Sequence, residues 1–150
     1  MRRLMVALGV VSSSMGCPSN EAPTPDNPPH AEHVMTVGYL EIVTTDVESA
    51  CSLHERVHGL SFGPKDETLG GARAAKKPDG TLVGIRQPLA AHERPPIVRA
   101  YLAVEDIRGA VKAAEEQGAT IAYPPTEQGT HGWFAIVIQD DVEHGLWQQP

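Results

Sequence analysis

Residues 39–50 and 99–110 carry the same pattern sixty positions apart. In the first copy an apolar alternation through Leu40 and Ile42 leads to Asp46 and then to a helical stripe. In the second, Ala100, Leu102 and Val104 lead to Asp106 and another stripe. Few identities survive, Asp46/Asp106 and Ala50/Ala110 among them, but each copy reads as a strand, an acidic corner and an amphipathic helix. A strand–helix unit used twice predicts one domain with internal pseudo-symmetry. It also places any ligand between the halves.

Period-2 and period-3.6 signals fill in the rest. Thr45 with Glu48 forms a capping-box pattern, with Asp46 the competing N-cap. Val47, Ala50, Cys51, His54 and Val57/His58 make the first helical stripe, and Gly59 ends it. A short strand is expected at Ser61–Phe62. Lys77-Pro78-Asp79-Gly80 predicts a tight turn joining strands at 69–75 and 81–87. In the second half, Asp106 caps a helix bearing Ile107, Ala110, Val111 and Ala114. Strands follow at Thr120–Tyr123, broken by Pro124-Pro125, then at Trp133–Ile138 and Gly145–Gln149. The order is βαβββ twice, in modules 37–90 and 95–150. The expected class is α+β, with curved mixed sheets enclosing a cleft and helices on the outer face.

Before residue 36 the chain reads differently. Met1-Arg2-Arg3, an apolar run from Leu4 to Val11 and small residues up to Gly16 form a secretory signal pattern, too short to span a membrane. Gly16-Cys17 is similar to the cleavage site of bacterial lipoproteins, although Ser14 stands where those sites usually carry Leu. Cys17 is therefore the candidate lipidated residue. Residues 18–35, rich in proline and polar side chains, suit an extended tether, followed by a domain at 36–150. The expected location is the bacterial cell envelope. Plain secretion, or a cytoplasmic protein with a misread start, are the alternatives.

The net charge of −7 becomes −9 without Arg2 and Arg3, a balance that disfavours nucleic acid and anionic lipid as partners. Membrane contact is expected only through the lipid anchor. Two cysteines, Cys17 and Cys51, exclude a disulfide framework, and Cys51 reads as a small buried residue.

Strand alternation assigns Leu40, Ile42, Leu102 and Val104 to the helix-covered faces. Tyr39, Glu41, Arg99 and Tyr101 then point into the cleft. Arg99 suits a carboxylate or phosphate, or a salt bridge to Glu41. Tyr101 and Trp147 offer flat apolar surface for a ligand, with core packing as the competing role for Trp147. Arg86 and Trp133 complete the candidate binding set. Glu41 and His131 are the candidate acid/base groups, His131 on a glycine-flanked loop able to close the cleft.

The paired βαβββ units, Pro124-Pro125-Thr126-Glu127 with Gly132-Trp133-Phe134-Ala135, and the ending Gly145-Leu146-Trp147-Gln148 resemble the vicinal oxygen chelate superfamily. That superfamily includes glyoxalase I, bleomycin-resistance proteins and extradiol dioxygenases. The resemblance covers Val37–Gln149 and is strongest to small glyoxalase-like single-domain proteins. It implies a divalent metal held by His and Glu side chains. The matching positions here are Tyr39, Arg99, a residue within 81–87, and Gly145, a set short of donors. A second acidic cluster, Asp140, Asp141, Glu143 and His144 near His131, reads as a solvated turn more readily than as a metal site.

Two functions are carried forward. One is a glyoxalase/bleomycin-resistance-like protein that binds a small organic ligand without a cofactor. The other is a metal-dependent lyase, isomerase or dioxygenase of the same superfamily. Pairing of the modules within one chain and swapping between chains of a homodimer both satisfy the pattern.

Overall fold

The computed structural model describes residues 34–150. The signal segment at 1–17, its Cys17 and all but the end of the tether lie outside them. The described residues form eight strands and two α-helices: β1 (Val37–Val43), α1 (Val47–His58), β2 (Lys65–Asp66), β3 (Ala72–Lys76), β4 (Leu82–Arg86), β5 (Ile97–Ala103), α2 (Ile107–Glu116), β6 (Thr120–Glu127), β7 (Trp133–Gln139) and β8 (Val142–Gln148). This is the βαβββ order, twice. The halves do not remain two sheets. β1 pairs antiparallel with β5, joining all strands into one mixed sheet of order β2-β3-β4-β1-β5-β8-β7-β6. β1 and β5 carry the junction between the two modules.

Local signals behave as hydrogen-bond chemistry requires. The Asp46 carboxylate accepts from the Ser49 N–H at 3.0 Å and caps α1, so Asp46 displaces the Thr45–Glu48 box. Glu48 instead pairs with Arg73. Asp106 caps α2 by accepting from the Arg108 N–H. Gly59 stops α1 in the left-handed region at φ 65°. The Gly80 N–H donates to the Lys77 carbonyl, closing the predicted turn between β3 and β4.

Three expectations are corrected. Ser61–Phe62 is not a strand; Phe62 is buried in loop, and its carbonyl accepts from Arg73. Val57 lies off the buried stripe, 62% exposed. Pro124-Pro125 does not break β6. The strand runs through them with register shifts between Ile121 and Thr126, because β6 is an edge strand whose open side needs no donors.

Two cores lie between sheet and helices. Val47 and Cys51 of α1 meet Val83, Ile85 and Phe62, with Leu40 and Ile42 against them; burial also pushes the Cys51 thiol up. Ile107 and Val111 of α2 meet Ala135, Val137 and Leu146, flanked by Val104. A third cluster sits on the opposite face of the sheet, where Tyr39, Tyr101 and Trp147 pack with Leu69 and Ala72. That third face is the cleft.

Candidate functional site in the inter-module cleft

The β1–β5 pairing generates the site. Its antiparallel register sets Tyr39 opposite Tyr101 and Glu41 opposite Arg99. One repeat thus places an aromatic pair and a charge pair on successive rungs of the same face. The parallel partners extend both rungs. β4 contributes Gly84 and Arg86; β8 contributes Glu143, Gly145 and Trp147.

The aromatic layer is closed. Tyr39, Tyr101 and Trp147 are each 3% exposed, with the Tyr39 ring centroid 5.1 Å from Tyr101 and 5.0 Å from Trp147. Glycines make room for it. A Cβ on Gly84 would overlap the Tyr39 hydroxyl, and one on Gly145 would enter the Tyr101 ring. Trp147 is therefore core, the competing role for that residue. Among the described residues the buried Tyr39 hydroxyl has no hydrogen-bond partner, and burial first, then the Glu41 charge, drives its pKa well above the ordinary tyrosine value.

Above this layer runs a row of alternating charges: Glu93, Arg86, Glu41, Arg99, Glu143. Arg86 Nε donates to Glu41 Oε1 at 2.7 Å, and its two terminal nitrogens fork onto Glu93 at 2.8 and 2.7 Å. Arg99 donates through Nη1 to Glu41 Oε2 and through Nε to Glu143 Oε1 at 2.7 Å. Tyr101 Oη donates to Glu41 at 3.2 Å. Burial disfavours both guanidinium charges; Glu93 and Glu41 outweigh it at Arg86, and Tyr101, Glu41 and Glu143 outweigh it at Arg99, so both arginines lie above their ordinary pKa. The salt bridge between Arg99 and Glu41 is thus present. Both Glu41 oxygens are engaged as acceptors, which leaves its side chain little freedom to take a proton from a ligand.

The cleft over this row has a volume of about 930 Å³. Its outer wall is apolar and open: Tyr123 stacks on Phe134 at 5.1 Å, Ile136 lies beside them, and Leu89, 65% exposed, also lines the cleft.

Tyr39, Glu41, Arg86, Arg99, Tyr101 and Trp147 therefore come together. Two candidates do not. Trp133 faces the helix side, packed near α2 with the Arg108 guanidinium 5.3 Å from its ring centroid; strand alternation sends Phe134 into the cleft in its place. His131 ends a 3-10 turn at Gly129–His131, and its Nε2 lies 2.8 Å from Asp66 Oδ2, tying the β6–β7 loop to the first module instead of lining the cleft. Hydrogen bonds from Thr68 first, then His131, hold Asp66 below the usual carboxylate range. Sequence reasoning missed Glu93, which lies in the linker between modules, and placed Glu143 in a turn. Only Asp140 and Asp141 turn; Glu143 is in β8, two residues before Gly145 and on the same face. That spacing was the available signal.

No protein-family model matches the chain, and no curated protein matches it. Solved structures do. The hypothetical protein BH1468 of Bacillus halodurans C-125 superposes with a TM-score of 0.62 at 14% identity, covering 78% of this chain and 96% of that one. Methylmalonyl-CoA epimerase from Mycobacterium tuberculosis gives 0.59 at 16% identity, covering 76% and 87%. The Streptomyces coelicolor methylmalonyl-CoA epimerase gives 0.57 at 13%, covering 75% and 96%. The chain shares the fold of these structures, built here from two βαβββ units in one mixed sheet. Identities this low establish the fold alone.

The metal that the vicinal oxygen chelate resemblance implies does not fit these residues. The four matching positions present a buried phenol at Tyr39, a cation at Arg99, no His or Glu among residues 81–87, and no side chain at Gly145. Glu41, beside them on β1, is already bound between two guanidiniums, which repel a cation. Among the described residues no three His, Cys, Asp or Glu side chains are grouped to hold a metal ion. Glu143 and His144 alternate to opposite faces of β8, so the second acidic cluster is dispersed as well.

Proposed function

We propose that this protein binds a small organic molecule in the cleft between its modules, without a metal. The observation that carries the reading is the cleft's division into two surfaces. An open apolar wall of Tyr123, Phe134 and Ile136 faces a buried row of paired charges. Its volume of about 930 Å³ falls in the range of small-molecule sites, which are mostly apolar with a few placed polar groups. Its carboxylates Glu41, Glu93 and Glu143 are each paired with an arginine, which disfavours a cation, whereas an organic ligand finds both a surface and hydrogen-bonding partners. The signal-like leader, Gly16-Cys17 and the proline-rich segment after it support a location outside the cytoplasm, on a lipid anchor at Cys17.

The test is a thermal-shift screen of small organic compounds on the full purified chain, followed by titration calorimetry of the hits. Saturable one-to-one binding that is lost in Phe134→Ala supports the reading. Hits that bind Phe134→Ala unchanged would move the site elsewhere, and a screen without hits would remove the binding reading. For the anchor, metabolic labelling with an alkyne fatty acid is expected to mark the wild-type chain and not Cys17→Ser; equal labelling overturns the lipoprotein assignment.

A further inference from the structure

We infer that the ligand carries a carboxylate, and that it binds by displacing Glu143 from Arg99. This rests on the cleft-binding reading above. Each arginine in the row already grips a carboxylate of the protein's own chain, but the two grips differ. Glu93 is held bidentately by Arg86, and its Oε2 also accepts from the Leu89 N–H at 2.7 Å; its side chain is 13% exposed. Glu143 has Arg99 as its only side-chain partner among the described residues, and it is 42% exposed. Arg99 itself is buried and fixed from the other side by Glu41. The guanidinium is therefore held from within, and its outer carboxylate is the more exposed of the two and has the fewer partners.

That asymmetry defines an anion subsite filled in cis. Displaced, Glu143 rotates into water at little desolvation cost, because it is already nearly half solvated. The incoming carboxylate then meets the Nε and Nη2 donors that Glu143 vacates, a planar fork matched to carboxylate geometry. Exchange of one carboxylate for another leaves the buried charge balance unchanged, which a neutral ligand or a phosphate dianion does not. The rest of the ligand extends from Arg99 toward Ile136, Phe134 and Tyr123, so an aromatic or other planar carboxylic acid satisfies both surfaces.

The experiment compares 2-naphthoate with 2-naphthamide on the full wild-type chain and on Glu143→Gln, by calorimetry with ligand-observed NMR. Glu143 is partly exposed and neither core nor turn, so the variant is expected to fold. The acid is expected to bind the wild type more tightly than the amide. Glu143→Gln, which weakens the internal competitor, is expected to tighten the acid about fivefold while leaving the amide within about twofold. Acid and amide bound equally, or an acid affinity that Glu143→Gln leaves unchanged or weakens, overturns the displacement while the cleft-binding reading stands. Binding of neither compound to either chain overturns both.

Discussion

The Tyr39 side chain lies across Gly84, its hydroxyl seated where a Cβ at position 84 would be. The ring is rigid, 3% exposed and wedged against Tyr101 and Trp147, so it has nowhere to move. Gly84→Ala is expected to destabilise the fold by about 2 kcal/mol through overpacking. Urea denaturation measures it, and a loss below about 0.5 kcal/mol would show that the aromatic layer yields.

Tyr39→Phe tests the same contact from the other side. The buried hydroxyl has no partner among the described residues, and an unsatisfied buried polar group carries a desolvation penalty. Its removal is expected to be neutral or to stabilise by up to about 1 kcal/mol. A clear loss of stability on denaturation would reveal a partner, such as a trapped water, that the hydroxyl holds.

Glu41 separates two buried guanidiniums. Glu41→Gln leaves Arg86 and Arg99 facing each other with no intervening charge, and is expected to cost about 3 kcal/mol. The double variant Glu41→Gln/Arg99→Met is expected to recover part of that loss, since the uncompensated cation is gone. A double variant less stable than the single one would place the energetics elsewhere than in charge pairing.

Glu93 sets a pH dependence. The Arg86 fork lowers its pKa from the ordinary 4.5 to about 2. A depressed carboxylate contributes stability that is complete above its unfolded pKa and disappears as pH falls through its folded pKa. Glu93→Gln is therefore expected to be about 2 kcal/mol less stable at neutral pH. That gap should close between pH 4.5 and about 2, where wild type and variant converge. A gap independent of pH across that window would assign the loss to geometry instead of charge.

Chelation separates this cleft from a metal centre. Full-chain protein is expected to keep its melting temperature and secondary structure in excess EDTA, and elemental analysis is expected to find no stoichiometric divalent metal. Gly145→Glu, which adds a carboxylate at one of the positions the family resemblance marks, is expected to destabilise the fold without creating a site, because Tyr101 occupies that space. A one-to-one metal content that resists mild chelation would overturn the metal-free reading.

Elements governed by neighbours in sequence were legible from the chain. Asp46 and Asp106 cap their helices through N–H groups two or three residues away, Gly59 stops α1, and Lys77–Gly80 turns the chain. Burial faces of β1 and β5 followed from alternation. Where distant partners decide, reading failed. Pro124-Pro125 reads as a strand end until β6 is known to be an edge, and His131 reads as free until Asp66, far away in the chain, is brought beside it.

Taken alone, the sequence determined the duplicated βαβββ unit, its vicinal oxygen chelate resemblance and the absence of suitable donors at the implied metal positions. These rest on local hydrogen bonding, on side-chain periodicity and on which atoms each residue possesses. The tertiary structure alone decided what occupies that place. The antiparallel register of β1 with β5 brings Glu41 beside Arg99, the linker carries Glu93 to Arg86, and β8 delivers Glu143. Ion pairs form between residues that are close in space, and only the sheet order makes these neighbours.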